Sequence, residues 1–219
     1  MNNYKKALSI FLEVPMNKIK EIDDNTFTVK IDGEEQEYLV ATEDEARELT
    51  TESLEELADS CGVTSIFKGW DRWQYAVDED KLSEYVYNDF LGYYEDIKFE
   101  PSERFESRLI EEAYDLGVLD DDDFDEENHY LLISDNIEDL AEKCAEHQSD
   151  MYLEDKIEWL KDCFGKDTAS EILSDMVDFE ELANMVNEEF GWGHELDLYD
   201  NSTNSEEVNG VEYYIFRRG

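Results

Sequence analysis

Thr26-Phe27-Thr28-Val29-Lys30-Ile31-Asp32-Gly33 and Glu37-Tyr38-Leu39-Val40-Ala41-Thr42-Glu43-Asp44-Glu45 fall within one stretch of twenty residues. Two β-branched and aromatic runs flank an Asp-Gly pair, which predicts a β-hairpin with a short loop. Thr42 with Glu45 three residues on is a capping box, so the second strand runs directly into a helix. Ala46, Leu49, Leu54, Leu57, Ala58 and Cys61 form the expected buried face of that helix, and Gly62 is a suitable stop. Glu48, Glu52 and Glu56 line its other side.

Working outward, Tyr4, Ala7, Leu8, Phe11 and Leu12 mark a helix over residues 4–13 that Pro15 closes. Further helices are expected at about 78–94, at 102–116 with Ser102 as cap, at 136–164 with a break near 147–150, and at 168–176 and 179–190. The stretch 63–76 has no clear period. The end reads as strand, loop, strand: Glu195-Leu196-Asp197-Leu198-Tyr199, polar residues to Asn209-Gly210, then Val211 to Phe216. The expected fold is α+β, a mostly helical single domain over 1–219, with one β-hairpin near the N-terminus and one at the C-terminus. A subdivision near 100–128 is the alternative.

The charge is extreme. Sixty-one Asp and Glu stand against 18 Lys and Arg, a net charge of −43. A disordered polyanion lacks aromatics and bulky aliphatics, whereas this chain is 13% aromatic and 41% hydrophobic with only two prolines. It is therefore expected to fold, against the repulsion of its own carboxylates. Added salt screens that repulsion, so denaturant midpoints should rise as salt increases through about 0.1 M and above. No apolar run approaches a membrane span, and the N-terminal residues lack a signal-peptide pattern. Three cysteines without paired spacing fit a reducing cytoplasm, with all three expected as small buried side chains.

Glu138, Glu142, Glu146, Asp150, Glu154, Glu158 and Asp162 recur every four residues. On one continuous helix they would form a slowly winding row of carboxylates. Like charges at this spacing disfavour the helix, and a merely polar face of an acidic chain would give the same pattern. Together with Glu48, Glu52 and Glu56, these residues are the candidate partner-binding positions. Duplex DNA carries two charges per base pair, so the whole excess matches roughly 20 base pairs.

Motifs for chemistry are sparse. Asp121, Asp123 and Asp125 imitate the start of a calcium loop, but Glu126 and Leu132 stand where Gly and a bidentate Glu are needed. Cys144, His147 and Cys163 have no zinc spacing. There is no phosphate-binding glycine loop, G-x-S-x-G or H-E-x-x-H. No catalytic residue, metal or cofactor is expected. Phe67, Trp70, Trp73 and Tyr75 read as core or as a partner-contact patch, because the net field repels nucleic acid.

The stretch from Glu37 to Ala46, and the close Gly210-Val211-Glu212-Tyr213-Tyr214-Ile215-Phe216-Arg217, resemble small acidic proteins of bacteriophages and mobile elements. The resemblance implies an anti-defence inhibitor. Such a protein would bind the basic nucleic-acid-binding surface of a defence nuclease by DNA mimicry, without itself binding nucleic acid or membrane. A CRISPR effector of the Cas9 type, alone or as its ribonucleoprotein complex, or a restriction system would be the target. An acidic adaptor or chaperone for basic proteins, or a halophile-adapted globular protein, are the alternatives. Lys outnumbering Arg 12 to 6 argues against the last.

Overall fold

The computed structural model describes residues 2–66, 69–105, 107–120, 124–125, 130–131, 137–151 and 155–219. The fold class is α+β, and among the described residues no helix is long and apolar enough to cross a membrane. The chain divides into two units: Met1–Val77 with Val177–Gly219, and the intervening Asp78–Met176. The boundaries fall at Val77/Asp78 and Met176/Val177, not near 100–128.

In the first unit, β1 (Ile19–Asp23), β2 (Thr26–Ile31) and β3 (Glu34–Ala41) form an antiparallel meander. Asp32 and Gly33 join β2 to β3 with φ of 52° and 95°, the two positive values a two-residue hairpin turn requires. At the far end of the chain, β6 (Asn204–Val208) and β7 (Val211–Arg217) turn through Asn209 and Gly210 in the same way. β7 then pairs with β3, so the two hairpins complete one sheet in the order β1-β2-β3-β7-β6.

The period of two divides that sheet cleanly. Phe27, Val29, Tyr38, Val40, Tyr213 and Ile215 are buried with Ala7 and Leu8 of α1 (Asn3–Phe11). Leu39, Ala41 and Phe216 alternate to the other face, which α2 (Glu43–Cys61) covers near β3 and β7. α7 (Phe179–Phe190), capped by Asp178, packs on α2, and the short α8 (Gly193–Leu196) follows. An antiparallel bridge between Val77 and Val177 holds the two segments of this unit together, with Asp178 N–H donating to the Ala76 carbonyl at 2.8 Å.

The C-terminal region corrects the sequence reading. Residues 195–199 are not a strand; α8 ends at Leu196, and Asp197 folds the chain into a turn. The apolar alternation here marks no sheet face: Leu196 and Asp197 are buried, whereas Leu198 and Tyr199 are exposed. Gly193 lies so close to the Ser202 and Asn201 backbone that any Cβ would collide with it.

The second unit is helical. α3 (Glu79–Ile97) is capped by Asp78, and it packs with α4 (Arg108–Asp115) and α5 (Ile137–Met151) around Tyr94, Ile97, Leu109, Ala113, Leu140 and Cys144. Its first and last residues meet where Asp78 N–H donates to the Met176 carbonyl at 2.9 Å. α4 begins six residues later than the 102–116 expectation. Ser102 Oγ accepts from the N–H groups of Arg104 and Phe105 and donates to the Phe105 carbonyl, so it closes a turn after Pro101 instead of capping a helix. β4 (Phe124–Asp125) and β5 (Tyr130–Leu131) form a small ladder. The rest of the calcium-like stretch, including Asp121, Asp123 and His129, lies outside the described residues.

The helical segment expected over 136–164 does break, but a few residues beyond the 147–150 expectation. α5 ends at Met151, Asp155 is non-helical (φ −147°, ψ 39°), and α6 (Lys156–Ser174) starts beyond it with a further break at Gly165 (φ 78°, ψ 163°). Packing explains the first break. α5 buries Leu140, Ala141, Cys144 and Ala145, whereas α6 buries Ile157 and Leu160. On a single straight helix Leu160 would lie about 160° round from Cys144, facing away from the core that α5 covers. The break re-aims it.

Candidate partner-binding surface

α2 presents Glu48, Glu52 and Glu56 because of what it buries. Ala46, Thr50, Leu54 and Ala58 face the interior at every fourth position, and this places the three glutamates on the outer flank at steps of about 6 Å. All three are exposed, and among the described residues none of their carboxylates has an ion-pair or hydrogen-bond partner. Leu57 and Cys61, expected in the buried face, are exposed instead; Thr50 takes the interior position. The Thr50 hydroxyl is fully buried without a partner. Thr50→Val should therefore hold or raise the stability of the first unit by up to about 1 kcal/mol in denaturant melts. A loss of that size would mean the hydroxyl is satisfied in solution.

The flank of α2 and the sheet face beside it enclose a groove of about 620 Å³. Asp24, Glu37, Glu45 and Glu195 join the three glutamates of α2 along it, with Leu39, Leu49, Leu196 and Leu198 as its apolar surface. Among the described residues Arg218 is its one cationic lining residue; Nη1 donates to the Leu196 carbonyl at 3.1 Å, and the guanidinium has no ion pair with any of them. Sequence reading did not find this groove. Its residues come from five separated segments, and nothing local to any of them marks a cavity.

Glu45 anchors one end. Its carboxylate accepts from Tyr4 Oη at 2.8 Å, Asn25 Nδ2 at 3.1 Å, Thr42 N–H at 2.8 Å and Thr42 Oγ1 at 2.9 Å. Burial acts to raise its pKa, but these donors together outweigh it and hold the carboxyl below the ordinary value. Burial first, and then Glu45, pushes the Tyr4 phenol up to about 12. The two groups act at opposite ends of the pH scale. Glu45 contributes stability above the ordinary glutamate pKa and loses it as pH falls through its own lower value. Tyr4 contributes stability below about 10 and loses it as pH rises toward 12. Glu45→Gln should flatten the acid limb of a stability-versus-pH curve, and Tyr4→Phe the alkaline limb.

No match comes from protein-family models, curated proteins or solved structures.

In the second unit, Glu142, Glu146 and Asp150 are exposed along α5, their carboxylates again without ion-pair or hydrogen-bond partners among the described residues. Their field reaches α3: burial first, then Glu142 and Glu146, raises the Tyr87 phenol. Glu158 and Asp162 are exposed on α6, beyond the break, and Glu158 pairs with Lys161 at 3.3 Å. Glu154 lies outside the described residues, as does the side chain of Glu138. The four-spaced residues thus divide between two helices and do not form one row.

The cysteines correct another expectation. Cys144 is buried, its thiol pushed up to about 12 by burial, but Cys61 and Cys163 are exposed. Burial, with Asp89 and Asp162 nearby, raises the Cys163 thiol and so disfavours its reactive thiolate. Trp73 of the aromatic stretch is buried, Tyr75 is 80% exposed, and Phe67 lies outside the described residues. Among the described residues, no group of three or more His, Cys, Asp or Glu is placed to hold a metal ion.

Proposed function

We propose that this protein is a non-enzymatic acidic inhibitor that binds the basic nucleic-acid-binding surface of another protein in the cytoplasm. The observation that carries this reading is an unneutralised acidic surface on a folded scaffold. Exposed carboxylates at four-residue spacing stand on α2 in one unit and on α5 in the other, without cationic partners among the described residues. The second unit alone has 33 Asp and Glu against 8 Lys and Arg, and the first 28 against 10.

A nucleic-acid groove lined with Lys and Arg draws much of its affinity from the release of counterions. A polyanion on a rigid scaffold gains the same electrostatic attraction and is steered to the groove quickly. Occupancy then excludes the nucleic acid, and no reaction is required. The resemblance of both chain ends to acidic phage proteins favours a defence nuclease as target, with CRISPR effectors and restriction systems foremost. In a Cas9-type effector the arginine-lined PAM site and the heteroduplex channel have the required charge.

The test is a pull-down with the tagged full chain from nuclease-treated bacterial lysate, with added duplex or single-stranded nucleic acid as competitor. Recovery of a nucleic-acid enzyme that the competitor displaces is the expected result. Recovery of only proteins that do not handle nucleic acid would overturn the proposal.

A further inference from the structure

We propose that the groove beside α2 is a docking site for an extended peptide segment of the partner, with Lys or Arg at alternate positions and apolar residues between them. This rests on the reading that the partner is a basic protein, and it adds a specific seat to what would otherwise be diffuse attraction.

The spacing supports an extended occupant. Glu48, Glu52 and Glu56 are four residues apart on a helix, about 6 Å per step. Side chains on one side of an extended strand recur every two residues, about 6.7 Å. Over three successive pairs the two series drift apart by little more than 1 Å, which flexible Lys and Arg side chains absorb. An α-helix could match the same spacing, but its diameter with side chains is about 10 Å, and a groove of about 620 Å³ suits a single strand better.

Two further features distinguish the groove from a plain acidic face. Leu198 is 65% exposed at its rim, beside the mostly covered Leu39 and Leu196. This is apolar surface that an occupant with purely cationic side chains would leave wet. Arg218 is the second. Among the described residues its guanidinium keeps a single side-chain hydrogen bond, to the Leu196 carbonyl, and no ion pair, despite many carboxylates nearby. Its remaining N–H groups are available to an acceptor, and an extended peptide supplies main-chain carbonyls along its whole length. Glutamates for the cations, leucines for the intervening side chains and Arg218 for a carbonyl together describe a peptide, not a metal ion or a polyamine. A polyamine has cations but no acceptor.

The probe is the blocked peptide Lys-Leu-Lys-Leu-Lys, compared with Lys-Ser-Lys-Ser-Lys of equal charge and with spermidine. Each is titrated into the full chain at near-physiological salt, by calorimetry and by amide chemical-shift mapping. The Lys-Leu peptide should bind at least ten-fold tighter than the other two, with shifts concentrated in residues 43–61, 195–198 and 217–218. The double variant E52Q/E56Q should weaken it about ten-fold. Leu198→Ser, at an exposed position, should remove the preference for Lys-Leu over Lys-Ser while the melting temperature stays unchanged. Equal affinities for the three probes, or shifts spread across α5 as strongly as α2, would overturn the inference and leave only polyelectrolyte association.

The same variants are then carried through the competitor-controlled pull-down. Capture of a displaceable nucleic-acid enzyme without groove-specific peptide binding would sink the groove and spare the proposed function. Groove-specific peptide binding with no such enzyme would do the reverse.

Discussion

Replacing Asp197 with alanine should lower the unfolding free energy of the first unit by about 3 kcal/mol, the largest single-residue effect expected outside the apolar core. The carboxylate is 3% exposed and wholly engaged. Oδ1 accepts from the N–H groups of Tyr199 and Asp200, both at 2.9 Å, and Oδ2 accepts from Arg217 N–H at 2.7 Å. One side chain thus closes the turn after α8 and ties it to β7. Alanine leaves three amides without acceptors, each costing on the order of 1 kcal/mol or more when buried. Asp197→Asn keeps one acceptor oxygen and should lose roughly half as much. Denaturant melts measure both, and a loss below about 1 kcal/mol for alanine would show that water replaces the carboxylate.

The second large effect concerns binding. Exchanging Glu48, Glu52 and Glu56 for Gln should reduce affinity for a basic partner about 10- to 100-fold near 0.1 M salt, mostly through slower association, and far less at several-fold higher salt. The same change should stabilise the fold slightly. Three like-charge pairs at i,i+4 (Asp44–Glu48, Glu48–Glu52 and Glu52–Glu56) are removed from α2, each worth a few tenths of a kcal/mol. Binding and stability therefore move in opposite directions, which separates a lost contact from a damaged scaffold. The parallel exchange of Glu142, Glu146 and Asp150 for their amides tests α5 on its own. Unchanged potency in that folded variant would remove α5 from the interface.

Sequence signals that act locally gave sound expectations. Asp32-Gly33 marked a hairpin because both positions take positive φ. Thr42 and Glu45 marked a helix start because each completes the other's hydrogen bond, and α7 fell on residues 179–190 as its period required. Signals with two physical uses did not resolve. Ser102 after Pro101 suits a helix cap and a closed turn equally, and hydrogen bonds to Arg104 and Phe105 decided for the turn. The run Glu195 to Tyr199 alternates like a strand, but burial does not follow that period: Leu196 and Asp197 are buried and Leu198 and Tyr199 exposed, around a turn built on the aspartate. The break before α6 was legible from the apolar phase slip, though placed a few residues early at 147–150; it follows from which sides α5 and α6 must bury. For the candidate site, the glutamates of α2 were legible from spacing, whereas the groove needed the β2–β3 face, α8 and Arg218 brought together by the sheet.

The pairing of β3 with β7 sets an order of assembly. Some 170 residues separate these neighbours along the chain, so forming the ladder first means closing a very long loop. The inserted helices need no such wait: all 99 of their residues are contiguous, and Asp78 meets Met176 when they have folded. Once that happens, the loop between β3 and β7 is shorter by the whole insertion, which lowers its closure cost by roughly 0.8 kcal/mol. A nascent chain would therefore complete its middle before its beginning, and β1 to β3 would keep an unpaired edge until β7 arrives. Acids at Glu34, Glu35 and Glu37 on β3 repel other acidic chains from that edge while it waits.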